Sequence, residues 1–378
     1  MSTDTKEKTL VVIQLTGGND FMNTVVPYNN EHYYDARKKI VISQNDVLPI
    51  NDTLAINNNA RPLKRLFDEG KVAIVQGIGY PNSNRSHFRG MDIWHTCEPN
   101  RVGSEGWLGL AIKDLDPKGE NVLTGVNIGQ GLPRAMSVAG VPITSVGDLE
   151  GYGVMNKIEQ ERLKERSLQA FKDIYGQAIG SGQVAEYIGK TGLDVLKGAD
   201  LLANVANQYK SSVEYADNSI AKSLRDVARV HFANLGTRVF YTNHGGYDTH
   251  ANEMPAHPKL LSDLSGAISD FMDDLKEHDA ADDVAILVFT EFGRRMRDNG
   301  SGTDHGSGGG AFLIGNNVKG GLYSEYPSLN PNDWEHGEDL KHTIDFRGIY
   351  GTVLEQWLGL DAKPIVKGEF EQIKPFYI

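Results

Sequence analysis

The stretch that decides the fold is an apolar run followed at once by charged residues and glycine: Val284-Ala285-Ile286-Leu287-Val288-Phe289-Thr290-Glu291-Phe292-Gly293-Arg294-Arg295. Its first six residues have the length and composition of a buried β-strand. Glu291 stands at the end of that strand, and open α/β sheets bind ligands at the carboxyl ends of their strands. Asp304 and His305 follow on a predicted loop before a second apolar strand at residues 311–314. Carboxylates and imidazole at one sheet edge predict a metal or phosphoryl site. Alternatively, His305 is a loop histidine that only forms hydrogen bonds.

Two further apolar runs are also followed by acidic residues or histidine. Residues 9–15 read as a buried strand, and Asp20 follows them after a glycine turn. Residues 238–242 form the other run, which leads into Asp248 and His250. Alternatively, Asp20 is a turn or helix-cap residue, and Asp248 and His250 form an Asx-turn beside a surface imidazole. Three strand ends of one kind favour a shared site over three unrelated turns.

The order of strands and helices predicts a parallel sheet. Helical periodicity recurs at residues 157–175, 193–209, 220–235 and 260–278. The last of these helices joins the strand at 238–242 to the strand at 284–289, which is a βαβ unit with a right-handed crossover. We therefore predict a single α/β domain over residues 1–378, with a doubly wound, mostly parallel central sheet and helices on both faces. Residues 152–222 are predicted to form a helix-rich insertion within it.

Composition narrows the class of protein and of partner. Of the 378 residues, 39% are hydrophobic and 23% are charged, as in an ordinary globular chain. The formal net charge is −12, which opposes binding to nucleic acid or to an anionic membrane surface. An anionic substrate stays possible, because a bound metal reverses the local sign of the charge.

The single cysteine and the polar N-terminal residues bear on disulfides, metal clusters and cellular location. Cys97 is the only cysteine, so neither an internal disulfide nor a thiolate metal cluster can form, and we interpret it as a packed thiol. The polar first eight residues do not resemble a secretory signal. We expect a cytoplasmic protein that does not span a membrane, or alternatively one exported after removal of a leader.

Several motifs together resemble the DUF1501 family of bacterial proteins. Besides the Glu291 and His305 segments, the matching motifs are residues 17–28, 84–88, 245–250, 320–323 and 357–359. They run in order along nearly the whole chain. That family's name states that its function is not assigned, and it is grouped with the alkaline phosphatase and sulfatase superfamily. The resemblance therefore implies an alkaline-phosphatase-like α/β fold with divalent metal at the strand ends.

The resemblance also implies roles for individual residues. The implied metal ligands are Asp20, Asp248, His250, Glu291, Asp304 and His305, and the implied catalytic or anion-binding residues are Ser86, Arg85, His87 and Arg294. Ser86 matches a nucleophile at a helix start, although a serine there also suits a helix N-cap. Asp248 and His250 stand closer together than the superfamily pattern has them, so we expect one metal ion rather than two. Its identity is left open among Zn, Mn, Ca, Mg and Fe.

The resulting hypothesis is a metal-dependent hydrolase of phosphate or sulfate monoesters, acting on a small-molecule or glycan anionic ester. The alternative is a non-catalytic binding or scaffold protein on a degenerate hydrolase fold. A third hypothesis is a carbohydrate-active enzyme with a pocket built from Trp94, Trp107 and Tyr323, although scattered aromatic residues more often belong to the core. The sequence leaves the oligomeric state open.

The sequence makes one geometric prediction and one ranking. The five residues that follow strands should converge in one cleft, and they are Asp20, Asp248, His250, Glu291 and His305. His257 is predicted to be a less important metal ligand. It begins the helix after the Asp248 loop, where it could reach the same cleft or could equally be a solvated residue at the helix N-terminus. The substitution His257→Ala should therefore weaken metal retention less than His305→Ala does.

Overall fold

The structure is a computed structural model that describes residues 7–150, 160–202 and 205–377. Its strands are β1 (Thr9–Thr16), β2 (Val25–Val26), β3 (Val47–Pro49), β4 (Ala55–Asn57), β5 (Val72–Gly79), β6 (Gly125–Ile128), β7 (Thr144–Val146), β8 (Val239–Gly245), β9 (Val284–Thr290), β10 (Arg294–Asp298), β11 (Thr303–His305), β12 (Gly309–Ile314), β13 (Gly321–Tyr323) and β14 (Ile344–Asp345). Its α-helices are α1 (Phe21–Thr24), α2 (Glu31–Ala36), α3 (Arg61–Asp68), α4 (His87–Thr96), α5 (Trp107–Leu115), α6 (Glu161–Ala178), α7 (Gln183–Leu202), α8 (Val205–Gln208), α9 (Ser219–Phe232), α10 (Glu253–Glu277), α11 (Phe346–Thr352) and α12 (Ala362–Val366).

The central sheet is mostly parallel, as predicted. Its strand order within the described residues is β13-β5-β12-β9-β1-β8-β6-β7, and β14 also pairs with β5. Only β12 runs antiparallel to its neighbours, β5 and β9. In the middle of the sheet, Ile13 of β1 lies opposite Thr242 of β8 and Val288 of β9. Because β1, β8 and β9 are parallel neighbours, their carboxyl ends meet at one edge of the sheet.

Helices cover both faces of this sheet, which confirms the doubly wound arrangement. Successive side chains of a strand point to opposite faces, and β1 shows this directly. Val11 and Ile13 join a core formed with α3, α9 and α10. Leu10 and Val12 join a second core formed with α4, α5, α11 and α12. Cys97 lies in that second core, where burial raises the pKa of its thiol, in keeping with a packed side chain.

Two predictions of local structure needed correction. Helix α10 begins at Glu253, well before residue 260, and contains Pro258. Proline lacks the N–H of a helical hydrogen bond and normally indicates a helix boundary, so the sequence placed the start of this helix too late. Asp304 and His305 do not lie on a loop, because they belong to β11, which pairs antiparallel with β10.

The region predicted as an insertion is helical where the structure describes it. Helices α6, α7 and α8 lie there, whereas residues 152–159, including the predicted helix start at 157, and residues 203–204 lie outside the described residues. Its standing as an insertion within one domain stays a prediction. In the described part of the chain, no helix combines the length and the apolar character that crossing a membrane requires.

Candidate metal centre and active site

The sheet edge brings together side chains from four separate segments. Asp248 and His250 lie on the loop after β8, Glu291 follows β9, His305 ends β11, and His87 begins α4. Gly17 allows the close approach that this needs, since its φ is +122° and a Cβ there would lie 2.3 Å from the backbone nitrogen of Asp248. We call His87, Asp248, His250 and His305 the histidine cluster.

Asp248 is the centre of the histidine cluster. Its Oδ1 lies 3.0 Å from Nε2 of His305 and 3.2 Å from Nε2 of His250. Its Oδ2 lies 3.2 Å from Nε2 of His87. Partial burial alone would raise the pKa of Asp248, but the contacts with His305 and the charge and hydrogen bond of Arg294 outweigh it and lower the pKa. Asp248 is therefore an ionised carboxylate surrounded by three imidazole rings.

Hydrogen bonds at the far nitrogens orient two of these rings. The Nδ1 of His305 lies 2.7 Å from the backbone oxygen of Arg85, which can only accept, so Nδ1 carries the proton. The Nδ1 of His250 lies 3.1 Å from a carboxylate oxygen of Asp304 and donates to it in the same way. Both Nε2 atoms are then unprotonated in the neutral rings, although they lie only 2.8 Å apart. Burial lowers the pKa of His305, which favours its neutral form.

This donor set fits a metal ion. The ligand atoms of His87, Asp248 and His305 all lie within 4.8 Å of one another. Metal-binding histidines typically donate their other ring N–H to a carboxylate or carbonyl, as His250 and His305 do here. Imidazole nitrogens and a carboxylate suit zinc, iron or manganese better than calcium or magnesium, which prefer all-oxygen sites.

Glu291 lies behind the cluster rather than at its solvent side. Its side chain is fully buried, and Oε1 accepts from the backbone N–H of Gly17 at 2.9 Å. The same oxygen lies 3.0 Å from Nδ1 of His87, and Oε2 accepts from the Thr290 hydroxyl at 3.1 Å. Glu291 therefore orients His87 toward Asp248, although we expected it to bind the metal directly.

Arg294 lies beside Asp248. Its guanidinium is buried and donates to the backbone oxygens of Gly18 at 2.6 Å, Thr303 at 2.8 Å and Tyr247 at 2.9 Å. It also donates to Oδ1 of Asp248 at 2.9 Å. These acceptors occupy the guanidinium in the structure, so the role of Arg294 in binding an anionic substrate stays a prediction. Its charge acts on Asp248.

Ser86 and Arg85 lie beside the cluster. Ser86 is exposed and occupies the N-cap position of α4, but its side chain makes no capping hydrogen bond, so the helix-cap alternative lacks its defining contact. Its neighbours on both sides contact the cluster, Arg85 through its backbone oxygen and His87 through its ring. The guanidinium of Arg85 is half-exposed and lies 3.6 Å from a carboxylate oxygen of Asp339.

Asp20 is not part of the histidine cluster, contrary to expectation. It is completely buried and forms an ion pair with Arg37, which reaches it from the C-cap position of α2. Glu253 hydrogen-bonds to Asp20, and the electrostatic fields of Arg37 and His257 act on it. We call Asp20, Arg37, Glu253 and His257 the buried network. Glu253 and Arg37 carried no signal in the sequence, since neither stands beside a recognisable motif.

His257 also belongs to the interior rather than to solvent. It is buried, and its Nε2 lies 2.9 Å from the side-chain oxygen of Asn19. Burial lowers its pKa to about 4, so the ring is neutral at pH 7 and donates to that oxygen.

The aromatic pocket proposed for a carbohydrate is not formed by the predicted residues. Trp94 and Trp107 are packed in the core, where each stacks on Tyr350 or Phe346. A different cleft of 680 Å³ opens beside His87, between α4 and the ends of β6 and β8.

Solved structures resemble this chain only distantly. A protein of the alkaline phosphatase superfamily from Vibrio parahaemolyticus is 13% identical, with 98% of this chain and 71% of that chain covered and a TM-score of 0.45. The PsFucS1 sulfatase from Pseudoalteromonas sp. is 12% identical, with 98% and 71% covered and a TM-score of 0.40. The lipoteichoic acid synthase LtaP from Listeria monocytogenes is 8% identical, with 93% and 72% covered and a TM-score of 0.41. With identities and TM-scores this low, these similarities say nothing about the chemistry of the site.

Sequence comparison is more decisive. No curated protein matches the chain. A family model described as "Protein of unknown function (DUF1501)" matches residues 78–367, which is more than half of the sequence and agrees with the motifs noted above. The chain belongs to the DUF1501 family.

Proposed function

We propose that this protein is a metal-dependent hydrolase of phosphate or sulfate monoesters. The observation that carries the proposal is the convergence of the Nε2 atoms of His250 and His305 on Oδ1 of Asp248, within 3.2 Å. Two ring lone pairs 2.8 Å apart beside a carboxylate repel one another unless a proton or a metal ion lies between them, and a metal ion would satisfy both nitrogens and the carboxylate at once.

The residues that would hold the metal are Asp248, His250, His305 and His87. A divalent metal in such a site supplies a Lewis acid that polarises an ester oxygen and lowers the pKa of a bound hydroxyl or water. Asp304 and the backbone oxygen of Arg85 fix the orientation of two of the rings. Their role is to keep the unprotonated nitrogens aimed at one point.

Ser86 is the nucleophile in this proposal. Its hydroxyl is exposed and is not used for capping, and it follows Arg85 and precedes His87 at the edge of the cluster. It also begins a helix of ten residues, whose N-terminal dipole favours an anionic group at this position. A serine hydroxyl needs such activation to attack a monoester at neutral pH.

Turnover of para-nitrophenyl phosphate and para-nitrophenyl sulfate tests the proposal. Wild-type protein loaded in turn with zinc, manganese, iron, magnesium and calcium should hydrolyse one of these esters, and Ser86→Ala should abolish that turnover without changing the melting temperature. Ser104→Ala is the matched control, because Ser104 is also exposed and is not one of the residues of the histidine cluster. The nucleophile assignment is wrong if Ser86→Ala keeps full activity.

The outcome with wild-type protein separates two functions. An absence of turnover with every metal, together with tight binding of one metal, would favour the non-catalytic binding protein. If the wild type neither hydrolyses an ester nor binds a metal, the proposal of a metal-dependent hydrolase is wrong.

A further inference from the structure

We propose that the cleft beside His87 binds a neutral sugar ring, stacked on the exposed side chain of Phe88. The inference rests on the proposed function in one respect: the ester group is taken to lie at the histidine cluster, and the sugar is the part of the substrate next to it. His87 connects the two sites, since it belongs to the cluster and also lines the cleft.

Phe88 is the unusual residue of the cleft. Its side chain is 92% exposed, more than any other large hydrophobic residue that the structure describes. An exposed aromatic ring at the mouth of a polar cleft provides area for stacking at little conformational cost. Met91 lies one turn further along α4, and Leu132, which is 50% exposed, lies on the loop that faces this helix. Together these three residues give the cleft an apolar side.

The strand ends give the cleft a polar side. Asn243 at the end of β8 and Gln130 after β6 present exposed side-chain amides, which both donate and accept hydrogen bonds. Deeper in the cleft, the Gln14 side-chain oxygen accepts from Nε2 of His95 at 2.8 Å and from the Tyr241 hydroxyl. Burial lowers the pKa of His95 to about 4, so this floor is uncharged at pH 7.

The one carboxylate of the cleft is neutralised by its neighbours. Asp92 forms ion pairs with Arg89 and with Nε of Arg134, the latter at 2.9 Å. Away from the histidine cluster, then, the cleft offers amides, hydroxyls and an apolar surface but no unpaired acid. Arg134 also lines the cleft, but its guanidinium is engaged by Asp92 and by the backbone oxygen of Gly103. Hydroxyl groups match the remaining donors and acceptors, while a positively charged group finds no unpaired acid there.

The loop that closes the cleft is held in place. The side-chain amide of Asn127 donates to the backbone oxygen of Gly131 at 2.7 Å, and the Ser145 hydroxyl donates to the same oxygen at 2.8 Å. Leu132 follows directly, so its position opposite α4 is fixed before a ligand binds. Preorganisation of this kind reduces the entropy that binding must overcome.

These features favour a sugar ring over a nucleobase. A sugar has an apolar C–H face, which suits Phe88, and a rim of hydroxyls, which suits Asn243 and Gln130. A base has two aromatic faces, and a second aromatic ring opposite Phe88 would be expected to hold it. Among the residues that line the cleft, Tyr241 is the only other aromatic ring besides the two histidines, and it lies at the floor with its hydroxyl bound to Gln14.

Saturation-transfer NMR tests this inference without requiring activity or metal. The probes are a panel of neutral methyl glycosides, with adenosine and uridine as competing ligands, added to the metal-free full chain. We expect saturation transfer to at least one glycoside in the wild type, and its loss in Phe88→Ala and weakening in Asn243→Ala. Phe88 is exposed, so its substitution should leave the fold intact. Tyr187→Ala is the matched control, because Tyr187 is an exposed aromatic residue on α7 outside the cleft.

The outcomes separate this inference from the proposed function. His305→Ala should keep the glycoside signal while losing metal, because His305 does not line the cleft. Absence of any glycoside signal in the wild type, an equal signal in Phe88→Ala, or a Phe88-dependent signal from the nucleosides alone would overturn the sugar assignment. Failure of ester turnover would leave the sugar result unaffected.

Discussion

The histidine cluster and the buried network lie at the same edge of the sheet and contain the same kinds of residue, yet their chemistry differs. In the buried network, Arg37 neutralises Asp20, and His257 donates to Asn19. In the histidine cluster, the Nε2 atoms of His250 and His305 meet at Asp248, which is partly exposed to solvent. The difference teaches that an acid and a histidine after a strand do not define a metal site. What decides is whether the fold supplies its own cation and excludes water.

The two regions are connected through Glu253. Its Oε2 accepts from the hydroxyls of Thr249 at 3.2 Å and Thr303 at 3.1 Å. Thr249 precedes His250, and Thr303 precedes Asp304, so the buried network supports both segments that carry the cluster. We therefore expect changes in the network to act on stability, and changes in the cluster to act on metal affinity.

The largest expected effect on stability is that of Arg37→Ala. Removing the guanidinium leaves the buried Asp20 carboxylate without its cation, which costs about 3–5 kcal/mol for a buried pair. The free energy of unfolding in urea measures the loss. The double variant Asp20→Asn with Arg37→Ala should recover part of it, since the uncompensated charge is gone. Arg101→Ala, which removes an exposed partner of Glu98, should have little effect; equal losses for Arg37→Ala and Arg101→Ala would contradict the account.

A smaller effect, on metal affinity alone, is expected for Asp304→Asn. The carboxylate accepts the proton of His250 Nδ1 at 3.1 Å and thereby fixes the ring. Loss of such a supporting partner typically weakens metal affinity by about 10–100-fold. Titration calorimetry with zinc measures the change, and Asp298→Asn, on the neighbouring strand β10, serves as the control. An unchanged affinity in Asp304→Asn would show that the orientation of His250 does not depend on Asp304.

The smallest effect is a pH dependence expected for Glu253→Gln. Burial, together with the charge of Asp20, raises the pKa of Glu253 from 4.5 to about 9. Between these values the folded protein holds a proton that the unfolded chain has lost, so this group makes stability fall as pH rises through that window. Glutamine has no such proton to lose. The melting temperature of Glu253→Gln relative to the wild type should therefore rise with pH, and parallel curves would contradict the raised pKa of Glu253.

Sequence patterns predicted the sheet better than the site. The runs at β1, β8 and β9 were recognisable because buried parallel strands are continuously apolar. The convergence of Asp248, His250 and His305 followed from their places after such strands. The partners that decide each residue's role were not visible, because they come from distant segments. Arg37 reaches Asp20 across 17 residues, and Glu291 contacts Gly17 across 274.

The most direct test of the central claim compares one histidine from each region. Wild-type protein, His305→Ala and His257→Ala are stripped of metal, incubated with zinc or manganese, passed through gel filtration and analysed for bound metal, with circular dichroism to verify folding. We predict that the wild type and His257→Ala each retain about one metal ion per chain, as a single site of this donor type would, and that His305→Ala loses it. Retention by His305→Ala together with loss by a folded His257→Ala would contradict the account and place the metal in the buried network.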